Sequence, residues 1–233
     1  MQRYFAYDKI DNNFLLNDDD WYHIRTVMRM NDYDLVEIVY QKELYIGKIN
    51  NKIVECIKKV EQKISKKIDV TLIIPLLKEF KMDLILQKST ELGVERIIPF
   101  VAERSIIKLD PNKEIKKINR WQKIIKEASE QSKRLDIPVL TGIKTLKELI
   151  DIDGIKLVCS TTVKENTIKN VLKNNDKCDK IAILIGPEGG LTTAEEEFLT
   201  NNDFIGVTLG DLIMRVETVP IYLLSILNYE KME

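Results

Sequence analysis

The sequence predicts an α/β protein preceded by a small β-rich unit, and three observations carry that prediction. From residue 69 onward, short apolar runs alternate with segments of helical spacing, the pattern of a parallel sheet wrapped by helices. Some of these runs, such as Val70-Thr71-Leu72-Ile73-Ile74, are apolar without alternation, as expected where both faces of a parallel strand are covered. Before residue 68 the runs are short, alternating and separated by polar turns, which predicts a small sheet or barrel.

In the first unit, Asp18-Asp19-Asp20 leads a helix in which Trp21, Ile24, Val27 and Met28 fall on one face. Arg25 and Arg29, four apart, form an exposed stripe on another, readable as solvated charge or as a phosphate contact. His23, the single histidine, fits a half-buried helix position better than a catalytic one. Strands follow at Leu35 to Tyr40, Leu44 to Ile49 and Ile53 to Val60, after which a lysine-rich stretch places a boundary near Lys67.

In the second unit, the strand at Val70 to Ile74 leads to a helix from Met82 to Leu92, with Met82, Ile85, Leu86 and Ser89 inward and Gly93 ending it. Further strands are predicted at Ile97 to Phe100, Lys156 to Ser160, Ile181 to Ile185 and Ile205 to Leu209. Between them, Arg104 to Arg134 holds ten Lys/Arg against four Asp/Glu. There Ile118, Trp121, Ile125 and Ala128 pack one helix face, leaving Lys117, Arg120, Lys123 and Arg134 for anions or for solvent.

Two glycine-punctuated loops stand out. Gly186-Pro187-Glu188-Gly189-Gly190 ends one strand, and Thr192 with Glu195 forms a capping box for the next helix. Gly210 ends the following strand. Such loops at the carboxyl ends of adjacent strands either turn the chain or hold a ligand. Neither GxxxxGK[ST] nor GxGxxG is present, so phosphate-cradle chemistry is disfavoured. The last helix, Glu217 to Asn228, is apolar almost all round through Val219, Ile221, Tyr222, Leu223, Leu224, Ile226 and Leu227, which implies burial within the chain or against a second copy.

Composition sets the class. Across 233 residues, 36 Lys/Arg against 37 Asp/Glu give a net charge of −1, so the whole chain carries no nucleic-acid signal and only local distribution matters. Cys56, Cys159 and Cys178 are odd in number and lack CxxC spacing, which argues against a disulfide framework or a zinc site and points to a reducing cytosol. No run is long enough for a membrane span, and MQRYFAYDKIDNN lacks an apolar signal core.

GPEGG after a strand, followed by LGDLIMRVETVP, resembles motifs of the SPOUT methyltransferases, and specifically of the ribosomal RNA small subunit methyltransferase E family. RYF at Arg3, HIRTVMRM at His23, QKSTELGVERIIPF at Gln87, ERS at Glu103 and RWQKIIKEASEQSKR at Arg120 match it in order over nearly the whole chain. The resemblance implies a knotted parallel sheet of SPOUT type wrapped by helices over residues 69–233, with a C-terminal trefoil knot. It also implies a PUA-like RNA-binding β-barrel domain over 1–68. The implied activity is methylation of N3 of a uridine in 16S ribosomal RNA, with S-adenosyl-L-methionine as donor and S-adenosyl-L-homocysteine as product. The expected setting is a cytoplasmic homodimer, paired through the knotted region and its last helix, without metal.

By the same resemblance, Ser160, Thr161, Ile185, Gly186, Pro187, Glu188, Gly189, Gly190, Leu209, Gly210, Ile213 and Met214 surround the donor. Arg3, Arg25, Arg29, Arg104, Glu130, Gln131 and Arg134 meet RNA. Methyl transfer from a sulfonium is an in-line displacement, and the N3 proton must leave, so a base or a cation for the uridinate is required. Arg215 is the first candidate for the cation and Arg134 the second. Glu217, or a water it holds, is the candidate base, with helix capping as its competing role. Leu212 stands where the family usually has a basic residue, which bears on how RNA is gripped. It is the one hint of the alternative, a non-catalytic RNA-binding assembly factor that keeps the fold.

Overall fold

A computed structural model describes residues 1–62, 68–105, 111–175 and 179–230. Lys67, Lys108, Asp110 and Cys178 lie outside them, as does the proposed boundary between the units. The chain divides into two compact units, residues 1–65 with 126–137, and 66–125 with 138–233.

In the first unit, β1 (Arg3–Phe5), β2 (Asp8–Ile10) and β3 (Asn13–Leu15) precede a short helix α1 (Asp18–Tyr22), whose N-cap Asn17 accepts from the Asp20 amide at 2.8 Å. The predicted helix loosens into a π-turn over His23–Val27 and stops, with Arg29 at φ +53°. Trp21 and Ile24 are therefore buried as expected, whereas Val27 and Met28 are exposed. The wider turn rotates the later side chains off the apolar face, and Arg25 and Arg29 do not share a stripe. The strands β4 (Leu35–Tyr40), β5 (Glu43–Asn50) and β6 (Ile53–Val60) fall where the alternation places them. Six strands pair in the order β1-β4-β5-β6-β3-β2 over a core that includes Tyr4, Phe14, Trp21, Ile24, Val36 and Ile38.

The second unit contains β7 (Asp69–Pro75), α2 (Glu79–Glu91), β8 (Arg96–Val101), α3 (Pro111–Gln131), β9 (Val139–Leu140) and β10 (Lys144–Thr145). A 3-10 turn (Leu146–Leu149) leads to β11 (Ile155–Cys159), α4 (Ile168–Asn174), β12 (Lys180–Ile185), α5 (Thr193–Thr200), β13 (Phe204–Val207) and α6 (Thr218–Glu230). The last residues of α3, from Lys126, count with the first unit. All pairings in this sheet are parallel, in the order β10-β8-β7-β12-β11-β13 with β9 also on β8. Both faces are covered, as the unbroken apolar runs require. Leu72, Ile74, Ile181, Ile183 and Ile185 pack with residues of α2, α4 and α6, while Ile73, Ala182 and Leu184 pack with Leu149, Leu191 and Leu199 on the opposite face.

The capping box of α5 is present: Thr192 accepts from the Glu195 amide at 3.2 Å and Glu195 accepts from the Thr192 amide at 2.8 Å. Gly93, at φ +88°, follows the end of α2 as expected. Of the two explanations for the apolar last helix, burial within one chain holds for Val219, Leu223, Leu224 and Leu227, all in the core. Tyr222 and Tyr229 are its exposed aromatics and Ile226 is half-buried.

Candidate active site

Sheet register brings three loops together. Cys159 at the end of β11 lies opposite Ile185 of β12 and Val207 of β13. The segments 160–167, 186–192 and 208–217 therefore leave the same edge of the sheet side by side. Ser160 donates its amide to the Val207 carbonyl at 3.0 Å, extending the pairing one residue into the loops. This carboxyl edge is where open α/β sheets hold small ligands.

The loop after β12 is a tight turn in which the Gly190 amide donates to the Pro187 carbonyl at 2.8 Å. Gly190 has φ +70° and Gly210 φ +114°, conformations that favour glycine. A Cβ added at either would meet no atom within 4 Å, so both present bare backbone to open space. Ile185 and Pro187 are buried beneath, and Glu188 and Gly189 are exposed.

Side chains from elsewhere hold these loops. The Arg104 guanidinium donates to the carbonyls of Gly189 at 2.9 Å and Leu191 at 3.3 Å. Glu195 accepts the Glu103 amide at 2.8 Å, so the residue before Arg104 is fixed to α5. The buried hydroxyl of Ser160 lies 2.8 Å from that of Thr162 and 3.2 Å from Glu196, while Thr161 points outward and is exposed. Lys81, near the start of α2, reaches Glu188 at 3.0 Å and Glu217 at 3.4 Å. Burial opposes ionisation of Glu188, but its own backbone amide and Lys81 outweigh that and hold the carboxyl below its usual range. Sequence reasoning missed Lys81, which looks like any lysine near the start of an amphipathic helix.

In the loop before α6, Leu209 and Met214 pack on the core, whereas Leu212 and Ile213 are 82% and 86% exposed. Arg215 is exposed and its guanidinium is unpaired among the described residues. Glu217 precedes α6, and its Oε2 is buried without a hydrogen-bond partner among the described residues; the Lys81 ammonium compensates it as a charge. A cavity of about 700 Å³ lies beside this loop, lined by Leu209, Gly210, Thr167, Leu172, Tyr222 and Ile226 among others, so it shares two residues with the expected donor site.

The remaining candidates lie in the first unit. Arg3 is buried, pairs with Glu37 at 2.9 Å and donates to the carbonyls of Lys133 and Arg134, so its guanidinium is engaged within the unit. Arg25 stacks over Trp21 and binds Asp32 and the carbonyls of Met30 and Asn51, keeping about a third of its side chain exposed. Arg29 and Gln131 are exposed. Arg134 is buried and pairs with Asp136 at 2.8 Å. Glu130 is also buried. Desolvation pushes its carboxyl up to about 7, Lys126 opposing the rise and Asp20 adding to it. His23 is half-buried, its Nδ1 3.0 Å from the Tyr4 hydroxyl. Among the described residues no group of His, Cys, Asp and Glu has the arrangement to hold a metal ion, and no helix is long and apolar enough to cross a membrane.

Comparison with known proteins agrees with this arrangement. Residues 64–228 match the RNA methyltransferase domain model. Ribosomal RNA small subunit methyltransferase E of Bacillus subtilis is 34% identical over 99% of this chain and 97% of its own length. The protein of that name from Mesomycoplasma hyopneumoniae is 32% identical over 97% of this chain and 98% of its own. The crystal structure of the Neisseria gonorrhoeae enzyme bound to S-adenosyl methionine superposes with a TM-score of 0.88 at 26% identity, covering 99% of this chain and 98% of that one. The glycine loops, the parallel sheet that presents them and the full-length matches agree: this chain belongs to the ribosomal RNA small subunit methyltransferase E family.

Proposed function

We propose that this chain transfers the methyl group of S-adenosyl-L-methionine to N3 of a uridine in 16S ribosomal RNA. The observation that carries the reading is the row of three loops at one sheet edge, with Gly190 and Gly210 offering bare backbone to open space. Backbone amides and carbonyls so placed fit a neutral adenine and ribose, and a Cβ at either glycine would take up that space. When bound, the donor supplies an electrophilic methyl on a sulfonium.

The protein's part is alignment and charge. Arg215, exposed and unpaired among the described residues, is placed to stabilise a uridinate, whereas Arg134 is already committed to Asp136, which keeps it second. Glu217, held by Lys81, is the group available to accept the N3 proton directly or through a water. Ser160, Thr161, Leu209, Ile213 and Met214 complete the donor pocket around the glycine loop. The target base is drawn out of its stack to reach it.

Residues 1–68 serve as a PUA-like RNA-binding domain and 69–233 as the methyltransferase domain, with its trefoil knot at the three loops. Arg3, Arg25, Arg29, Arg104, Glu130, Gln131 and Arg134 are the proposed RNA-facing residues; Arg3, Glu130 and Arg134 are buried and would act by holding the surface that the others present. Two chains pair through the knotted region, with the outward side of α6 at Tyr222 as the contact. The setting is the cytoplasm. Incubating purified protein with labelled donor and small-subunit ribosomal RNA tests the reading: label should enter the RNA. Donor binding without transfer would overturn it in favour of the non-catalytic assembly factor, to which Leu212 points.

A further inference from the structure

We infer that Lys81 is a positioning residue of the methyl-transfer site, a clasp that ties the loop after β12 to the loop before α6. This deepens the proposed function and rests on it for its catalytic consequence. The geometry is specific. Lys81 is the third residue of α2, the helix that follows β7, and β7 lies next to β12 in the sheet. Its ammonium donates to Glu188 Oε1 at 3.0 Å and lies 3.4 Å from Glu217 Oε2. One cation thus holds a carboxylate from each of two loops that are distant in sequence. The two contacts differ in kind. Glu188 is a third exposed and hydrogen-bonded, while the Glu217 oxygen is buried with no hydrogen-bond partner among the described residues, so Lys81 is the compensating charge the structure shows there.

Removing the ammonium would leave two carboxylates with no cation between them and one oxygen in a dry site. The loops would then separate or Glu217 would turn out toward water. Either movement displaces the Gly189-Gly190 backbone relative to Arg215 and Glu217, and misplacement on the ångström scale is costly for an in-line displacement.

The test reads the clasp first without donor. In Lys81→Met, backbone amides of 186–191 and of 211–217 should both exchange with deuterium faster, by about threefold or more, while β7, β11 and β12 exchange as before. Lys81→Arg should restore the wild-type rates, and Glu188→Gln should loosen 186–191 alone. Donor affinity by calorimetry should fall about three- to fivefold in Lys81→Met, and by no more in Lys81→Met with Glu188→Gln than in Lys81→Met alone, because losing the ammonium already breaks the Glu188 contact. Wild-type exchange in both loops of Lys81→Met, or donor-binding losses that simply add, would overturn the inference. Exchange needs neither donor nor RNA. A wild-type protein that binds no donor would sink the proposed function while leaving the clasp to be judged on the exchange rates.

Discussion

Arg104 donates through Nη1 to the carbonyl oxygen of Gly189 at 2.9 Å, so an arginine expected to meet RNA also closes one side of the glycine loop. A second bond, to Leu191, fixes the far end of the same turn. Arg104→Ala should therefore weaken S-adenosyl-L-methionine binding by about three- to tenfold, since charge-assisted bonds at a partly exposed site are lost. Calorimetry in the absence of RNA checks this. Unchanged donor affinity with a reduced salt slope for RNA would mean that Arg104 serves phosphate alone.

Gly190, at φ +70°, faces open space on the proposed donor side. Gly190→Val adds a β-branched side chain there and forces a conformation such residues avoid, so donor binding should fall by at least about tenfold. Circular dichroism should still report a folded chain. A folded variant with wild-type affinity would take this turn out of the pocket.

Glu130 makes the first unit sensitive to pH. Its carboxyl rises from an ordinary value of 4.5 to about 7 in the folded chain. Between those values the folded state holds a proton that the unfolded state has released, so stability declines as pH rises through this window. Glu130→Gln should weaken the dependence, the part carried by Asp20 remaining, and leave the protein more stable than wild type at pH 8 by about 1–3 kcal/mol, with the gap closing toward pH 5. Denaturant titrations at the two pH values measure it. A variant destabilised equally at both would show that the Lys126 pair dominates.

The proposed dimer contact is specific to the outward side of α6. Leu223 and Leu227 are in the core of their own chain, so charging them would unfold the unit and say nothing about pairing. Tyr222→Glu instead puts charge on the exposed side, and twice over in a symmetric interface. Light scattering should show a wild-type dimer and a folded monomeric variant. A wild-type monomer at micromolar concentration would contradict the assembly.

Much of the fold was legible because its signals are local. The runs at β7 and β12, the capping box at Thr192 and the glycine after α2 each declare themselves within a few residues. Strands β9 and β10 have two residues each, too few to show a period, and α4 spans only seven residues. The π-turn at His23–Val27 is set by packing, so a 3.6-residue period over-ran the helix and misplaced Val27, Met28 and the paired arginines. Of the site, the glycine loops were readable because backbone conformation leaves a mark on composition. Lys81 was not, because its partner Glu188 is 107 residues away and only the sheet order brings the two together. The burial of Arg3 is hidden for the converse reason: from sequence alone, an arginine paired with Glu37 inside the unit looks the same as an exposed one.

The central claim is chemical, and the identity of the methylated nucleoside tests it most directly. Small-subunit ribosomal RNA treated with the protein and S-adenosyl-L-methionine should, after nuclease digestion and mass spectrometry with chromatographic standards, yield N3-methyluridine, and Arg215→Ala should reduce its yield by at least about a hundredfold. A methyl found on the ribose, on another base atom or on no nucleoside would contradict the account.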